Sequence, residues 1–168
     1  AVVEGAGTGA GGFLLGLADF PALLSIKMKF LFDAANIYGF DTKKIEEDSR
    51  KIKKYIQENM YDKETGFFYD LQINEDGSET KLLVNRGKGT EGWLPLWANA
   101  ATKDQAEAVK DNMMDEEKFN TYVPFPTASK DNPKFNADKY WRGPVWLDQA
   151  LFGVEALQNY GFNSEATE

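Results

Sequence analysis

In residues 22–38, Ser25, Lys29, Asp33 and Asn36 form one narrow polar stripe, at spacings of four, four and three. Leu24, Ile26, Met28, Phe30, Leu31 and Ile37 cover most of the remainder, so the spacing predicts a helix that is apolar around most of its surface. Such a helix must be buried in protein or lie on a membrane. Gly39 is placed to end it in the left-handed conformation. A second helix is expected from Asp41, acting as its cap, to about Met60. Ile45, Ile52, Ile56 and Met60 make its apolar stripe, and its other faces are rich in Lys and Glu. The period then changes. Residues 67–73 and 80–84 read as two strands of one hairpin, turned by Asn74-Glu75-Asp76-Gly77.

Further on, a short helical piece holding Pro95 is expected within residues 92–101, and a helix over 106–114 capped by Asp104. Residues 119–140 read as loop, with Pro124, Pro126 and Pro133. Pro144 stands where the first residue of a last helix, 145–160, should be, and Gly161 closes that helix. Residues 163–168 read as a frayed tail. No internal repeat is present at solenoid spacing. The pattern is mainly α, with one β-hairpin.

Composition narrows the chemistry. A chain of 168 residues, 42% hydrophobic and 27% charged, has the make-up of one folded domain. A net charge of −8 supplies no basic stripe, so nucleic acid is not expected as a partner. With no Cys and no His there is no thiol nucleophile, Ser-His-Asp triad or His- or Cys-ligated metal. Acid–base work falls to carboxylates, Lys or Tyr. The loop Asn74–Gly77 lacks the ligand spacing of a calcium loop, and neither metal nor cofactor is expected. The apolar run from Phe13 to Leu24 is interrupted by Asp19 and Pro21, too short to span a bilayer. A start with no basic n-region and no small-residue cleavage motif is not expected to be a signal peptide, and a beginning at Ala1 without Met is what a processed or truncated chain is expected to show. Periplasm and cytoplasm both remain open.

The aromatic fraction is 14%, and aromatic rings beside carboxylates and amides suit a sugar cleft. Two segments concentrate them. In Arg86-Gly87-Lys88-Gly89-Thr90-Glu91-Gly92-Trp93, glycines surround one carboxylate and one indole. A tight turn leading into a core helix explains this segment as well as a binding site does. Tyr140-Trp141-Arg142-Gly143-Pro144-Val145-Trp146 is the sharper signal. Its rings must bury or bind something, and Arg142 can fork onto a carboxylate or sugar hydroxyls. A helix-entry plug with Arg142 ion-paired is the plainer alternative.

The glycine-rich start, Gly7-Thr8-Gly9-Ala10-Gly11-Gly12, matches a dinucleotide fingerprint, but Pro21 interrupts the helix that motif requires. With Leu17-Ala18-Asp19-Phe20-Pro21-Ala22-Leu23-Leu24 and Ile37-Tyr38-Gly39-Phe40-Asp41, it resembles instead the EcsC protein family. That resemblance covers residues 1–42 and implies an association with membranes, with no reaction attached.

Residues 43–162 resemble glycoside hydrolase family 63, in its bacterial α-glucosidase branch. The likeness is carried by Met60-Tyr61-Asp62, Gly66-Phe67-Phe68-Tyr69-Asp70, the Arg86–Trp93 segment, Phe119-Asn120-Thr121, Tyr140–Gly143 with Val145-Trp146 and Asp148-Gln149, and Asn159-Tyr160-Gly161-Phe162. It implies an (α/α) toroid of helical hairpins, here incomplete, and hydrolysis of an α-glucosidic or related bond with inversion. It also implies that Tyr140, Trp141, Arg142, Gly143 and Trp146 line the sugar subsite, with Glu91 and Trp93 beside them.

Inversion needs a carboxylic acid and a carboxylate base with room for water between. The resemblance puts the acid upstream of the matched stretch and the base downstream. Glu91, Asp138 and Asp148 form no pair with those roles, so the catalytic residues are unassigned. The reading is therefore two segments: an EcsC-like piece over 1–42, and part of a glycosidase domain over 43–168. That is a fragment or chimera, inactive alone, whose partner is an oligosaccharide or glucoside. The alternative is a non-enzymatic binding module, held weakly at a membrane through residues 1–38.

Overall fold

The computed structural model describes residues 29–31, 33–39, 42–74, 77 and 80–167. Residues 29–31 and 33–37 are helical, and Gly39 follows at φ +72°, as its place in the sequence requires. The earlier part of that helix, the glycine-rich motif and Asp41 lie outside the described residues.

Helix α1 spans Lys43–Asn59. Thr42, not Asp41, precedes it, and its hydroxyl bonds the Glu46 carboxylate at 3.1 Å without capping the backbone. The expected stripe is real at its lower end: Ile56 and Met60 are buried and Ile52 packs against them.

Two hairpins follow where one was expected. β1 (Tyr61–Asp62) pairs with β2 (Phe67–Phe68), and β3 (Leu71–Ile73) pairs with β4 (Thr80–Leu82), both antiparallel. The predicted strand 67–73 is split because its backbone changes partners in the middle. Tyr69 N–H donates back to Met60 O at 2.9 Å, whereas Asp70 O accepts forward from Leu83 N–H at 2.9 Å. The first turn is tied by Asp62, whose Oδ2 accepts from Thr65 N and Oγ1 at 2.8 and 2.7 Å.

After short 3₁₀ turns at Val84–Arg86 and Thr90–Gly92 come α2 (Leu94–Trp97) and α3 (Lys103–Met113). The cap of α3 is Thr102, not Asp104. Thr102 Oγ1 accepts from Gln105 N at 3.2 Å, and Gln105 Oε1 accepts from Thr102 N at 3.0 Å, a reciprocal capping box. The last helix, α4, spans Leu147–Asn159 and starts later than Pro144 suggested. Trp146 is still extended (φ −106°, ψ 123°), and the Pro144 carbonyl, which a helix begun there would use as an acceptor, is taken by Thr127. The expected frayed tail instead forms a 3₁₀ turn, Glu165–Thr167, with Ala166 against the core.

The core is aromatic. Phe67, Phe68, Trp93 and Phe119 are fully buried among Ile56, Leu96, Val109, Met113 and Leu157. Polar side chains tie its edges. Gln57 Nε2 donates to Ala100 O at 2.6 Å, and Gln105 Nε2 returns to Gln57 O at 2.9 Å. Asn112, buried on α3, donates to Thr65 O at 3.1 Å and to Ala108 O at 2.9 Å.

Tyr160 locks α4 to the turn before α3 by donating its hydroxyl to Ala101 O at 2.8 Å. Burial pushes its pKa up to about 12. The unfolded chain, with a tyrosine pKa near 10, sheds this proton first. Stability that is complete below about pH 10 is therefore lost as pH rises toward about 12. Because the ring is only half-buried, the loss is discounted to about 1 kcal/mol. Tyr160→Phe is expected to remove this step from a series of urea melts between neutral and strongly alkaline pH, relative to the unsubstituted chain.

Candidate functional site

Two segments singled out in the sequence, 86–93 and 140–146, are held by one strap. On one side of it, Gly89 bridges Ala128, and Ser129 N–H donates to Lys88 O at 3.0 Å. Asn132 Nδ2 adds a bond to Arg86 O at 3.0 Å, and Lys88 Nζ pairs with Asp131 at 3.3 Å. On the other side, Thr127 N–H and Oγ1 both donate to Pro144 O, at 3.2 and 3.0 Å, while Oγ1 accepts from Gly143 N–H at 3.1 Å. Thr127, Ala128 and Ser129 are buried. Sequence reasoning missed them, because a Thr and a Ser in a proline-rich loop give no signal of what they fasten.

Thr127→Val keeps the shape and removes both side-chain bonds. The buried Gly143 N–H then loses its acceptor. The expected cost is about 1–3 kcal/mol, read from the shift in urea midpoint.

Held by this strap, residues 140–146 present three rings. Trp141 and Trp146 stack at 5.3 Å with 7° between their planes, and Tyr140 stands edge-on to both, at 6.0 and 4.7 Å. Trp146 Nε1 donates to Tyr140 O at 3.0 Å and closes the cluster. Tyr140 is 69% exposed and Trp141 49%. The rings therefore bury against each other on one side and face solvent on the other. Arg142 is exposed, and its guanidinium makes no ion pair among the described residues. Its backbone is fixed: Arg142 O accepts from Asn136 N at 2.7 Å. Gly143 is buried with no room for a side chain, since a Cβ there would lie 3.0 Å from the Asn136 and Ala137 backbone.

The other two candidates are placed differently. Glu91 is half-buried, with its carboxylate folded over Gly89. It lies close enough to Tyr69 to act on it: burial raises the Tyr69 hydroxyl, and the charges of Asp62, Glu91 and Asp131 push the same way. Trp93 has no exposed surface, so it offers a sugar nothing in this chain. Its expected partner on the same face, Trp97, is half-buried and donates Nε1 to Glu155 at 2.6 Å. That bond was not legible, since the two residues are 58 apart. Asp138 and Asp148 are exposed, and neither faces a second carboxylate in the bonds observed. No group of three or more acidic side chains among the described residues is arranged to hold a metal.

A mostly helical scaffold with two small hairpins, and with an exposed aromatic cluster at 140–146, has structural neighbours among glycoside hydrolases of toroid fold. The matching family model, the mannosylglycerate hydrolase MGH1-like glycoside hydrolase domain, covers residues 3–168, and the chain belongs to that family. It is 28% identical over 126 residues to a mannosylglycerate hydrolase of Thermus thermophilus, covering 70% of this chain and 28% of that protein. A solved family 63 mannosylglycerate hydrolase, also of T. thermophilus, superposes with a TM-score of 0.72 at 25% identity, over 89% of this chain and 34% of that one. The same enzyme has been solved with D-glycerate and with glucose. The chain spans about a third of the length of these relatives. A separate likeness, 64% identity over 47 residues, is to protein EcsC of Bacillus subtilis, covering 28% of this chain and 20% of that protein. The family expected from the motifs is thus the one found. The relatives named here are mannosylglycerate hydrolases, where the sequence pointed to an α-glucosidase branch.

Proposed function

We propose that this chain forms part of the sugar-binding wall of a glycoside hydrolase that cleaves, with inversion, an α-linked pyranose attached to a short carboxylic acid such as glycerate. The observation that carries the reading is the platform at residues 140–146. A flat aromatic surface open on one side packs on the C–H face of a pyranose, and Arg142, which makes no ion pair among the described residues, is suited to a carboxylate. The names of the relatives support a mannosylglycerate type of substrate, and the α linkage follows the resemblance to family 63. Tyr140, Trp141, Arg142, Gly143 and Trp146 make up the subsite in this reading, with Glu91 lying outside the platform. Glu91, Asp138 and Asp148 do not form the opposed acid and base that inversion needs, so the chain alone binds without turnover. Residues 1–42 form an EcsC-like segment and residues 43–168 the glycosidase part, a division supported by the EcsC likeness, although the family match begins at residue 3.

Isothermal titration of the full chain with α-mannosylglycerate and with methyl α-mannoside tests this reading. Both ligands are expected to bind weakly, and Trp141→Ala to abolish both. Arg142→Ala is expected to weaken only the ligand that carries the carboxylate. Equal binding by Trp141→Ala and the unsubstituted chain contradicts the subsite. Release of free mannose by the chain alone contradicts its inactivity.

A further inference from the structure

The rings at 140–146 are carried by a turn whose two ends are both cationic. Arg142 N–H donates to Lys139 O at 3.2 Å, which closes residues 139–142 as a four-residue turn. Tyr140 and Trp141 stand at its corners, Lys139 and Arg142 at its ends. Such a turn brings the Cα atoms of its end residues within about 7 Å of each other. Asn136 fixes both ends. Its backbone N–H donates to Arg142 O at 2.7 Å, and its backbone carbonyl accepts from Lys139 N–H at 3.0 Å. Its side-chain Oδ1 accepts from Asp138 N–H at 2.9 Å, and the buried Gly143 lies against its backbone. Lys88 and Lys130, on the side of the strap, are committed to Asp131 and Glu117. Lys139 and Arg142 are both exposed, and neither makes an ion pair among the described residues, with Asp138 or any other carboxylate. A chain of net charge −8 thus leaves two unpaired cations at the ends of the one turn that carries its exposed rings.

We propose that Lys139 is a specificity-determining residue, which together with Arg142 grips the acid group of a ligand whose pyranose lies on the rings of the same turn. This rests on the sugar-binding reading of residues 140–146 given above. A carboxylate offers two oxygens and more lone pairs than one guanidinium fork takes up. Lysine adds a mobile point charge with three donors on a four-carbon stem, able to reach the sites that the fork leaves open. Rings and cations belong to one short turn, so the acid group they reach is one short linker from the sugar. That favours a glycoside of a small hydroxy acid over a neutral glycoside. Lys134, also exposed, belongs to a separate turn, its N–H donating to Asn132 Oδ1 at 2.9 Å, and has no part in the grip.

Isothermal titration of the full chain, Lys139→Gln, Lys139→Arg and Lys134→Gln with α-mannosylglycerate and with methyl α-mannoside tests this. Lys139→Gln is expected to weaken α-mannosylglycerate about three- to fivefold, the range of an exposed charge pair, and to leave methyl α-mannoside unchanged. Lys139→Arg is expected to restore the lost affinity, and Lys134→Gln to change neither ligand. Raising salt from about 20 to about 200 mM is expected to weaken α-mannosylglycerate less in Lys139→Gln than in the unsubstituted chain. Equal affinity of Lys139→Gln and the unsubstituted chain for α-mannosylglycerate overturns the proposal and leaves the sugar subsite standing. An equal loss in Lys134→Gln overturns it in favour of a general field of positive charge. Loss of both ligands in Lys139→Gln overturns it in favour of a structural role. Binding of neither ligand by the unsubstituted chain overturns the subsite reading, and this proposal with it.

Discussion

Replacing Trp93 by Ala is expected to lower the unfolding free energy by about 3–5 kcal/mol. That is a large part of the about 5–15 kcal/mol typical of a domain, so a substantial unfolded fraction is expected at moderate temperature. The reason is position. Trp93 stands edge-on to Phe119 at 5.0 Å and tilted against Phe125 at 5.7 Å, and Phe119 in turn stacks on Phe67 at 5.5 Å. Removing the indole leaves a void in the middle of that chain of rings. Trp93→Phe is expected to cost much less, at most about 2 kcal/mol. It keeps a ring in place, and it deletes an indole N–H that is the one buried side-chain polar atom without a partner among the described residues. Urea melts followed by near-ultraviolet circular dichroism separate the two variants. Sugar binding is expected to survive Trp93→Phe, because the side chain reaches no solvent.

Gly92→Ala is expected to be nearly as damaging through the opposite fault. The added methyl group would fall within the Phe67 ring, meeting Cε1, Cζ and Cδ1. Phe67 has nowhere to go: it is fully buried, stacked on Phe119 and edge-on to Tyr69 at 5.8 Å. Overpacking of this kind costs about 1–3 kcal/mol and sometimes more. For a chain of this size that lowers the melting temperature by about 2–4 °C per kcal/mol, measurable in a thermal scan. The glycine is required here by the ring above it rather than by an approaching ligand.

That distinction marks where the sequence was readable. Helices α1, α3 and α4 follow from their apolar spacing, and Gly39, Gly77 and Gly161, all at positive φ, stand at the stops assigned to them. The motif at 140–146 was legible as a cluster, since four aromatic or guanidinium side chains in seven residues have few other uses. What was not legible depended on distant partners. The split of 67–73 into two strands follows from bonds to Met60 and Leu83, and no local period encodes those. Pro144 failed to start α4 because Thr127, 17 residues earlier, holds its carbonyl. Trp93 and Trp141 look alike in sequence, each within two residues of a glycine and a charged residue. Only packing sends the first into the core and leaves the second half exposed.

The central claim is that the 140–146 platform is a sugar-facing surface. Saturation-transfer difference NMR with methyl α-mannoside, on the full chain and on Trp141→Ala, tests it most directly. The account predicts strong saturation of the pyranose C–H protons by the unsubstituted chain, lost in Trp141→Ala while that variant keeps its near-ultraviolet signal from Trp93. Equal saturation by both proteins, or none by either, would contradict it.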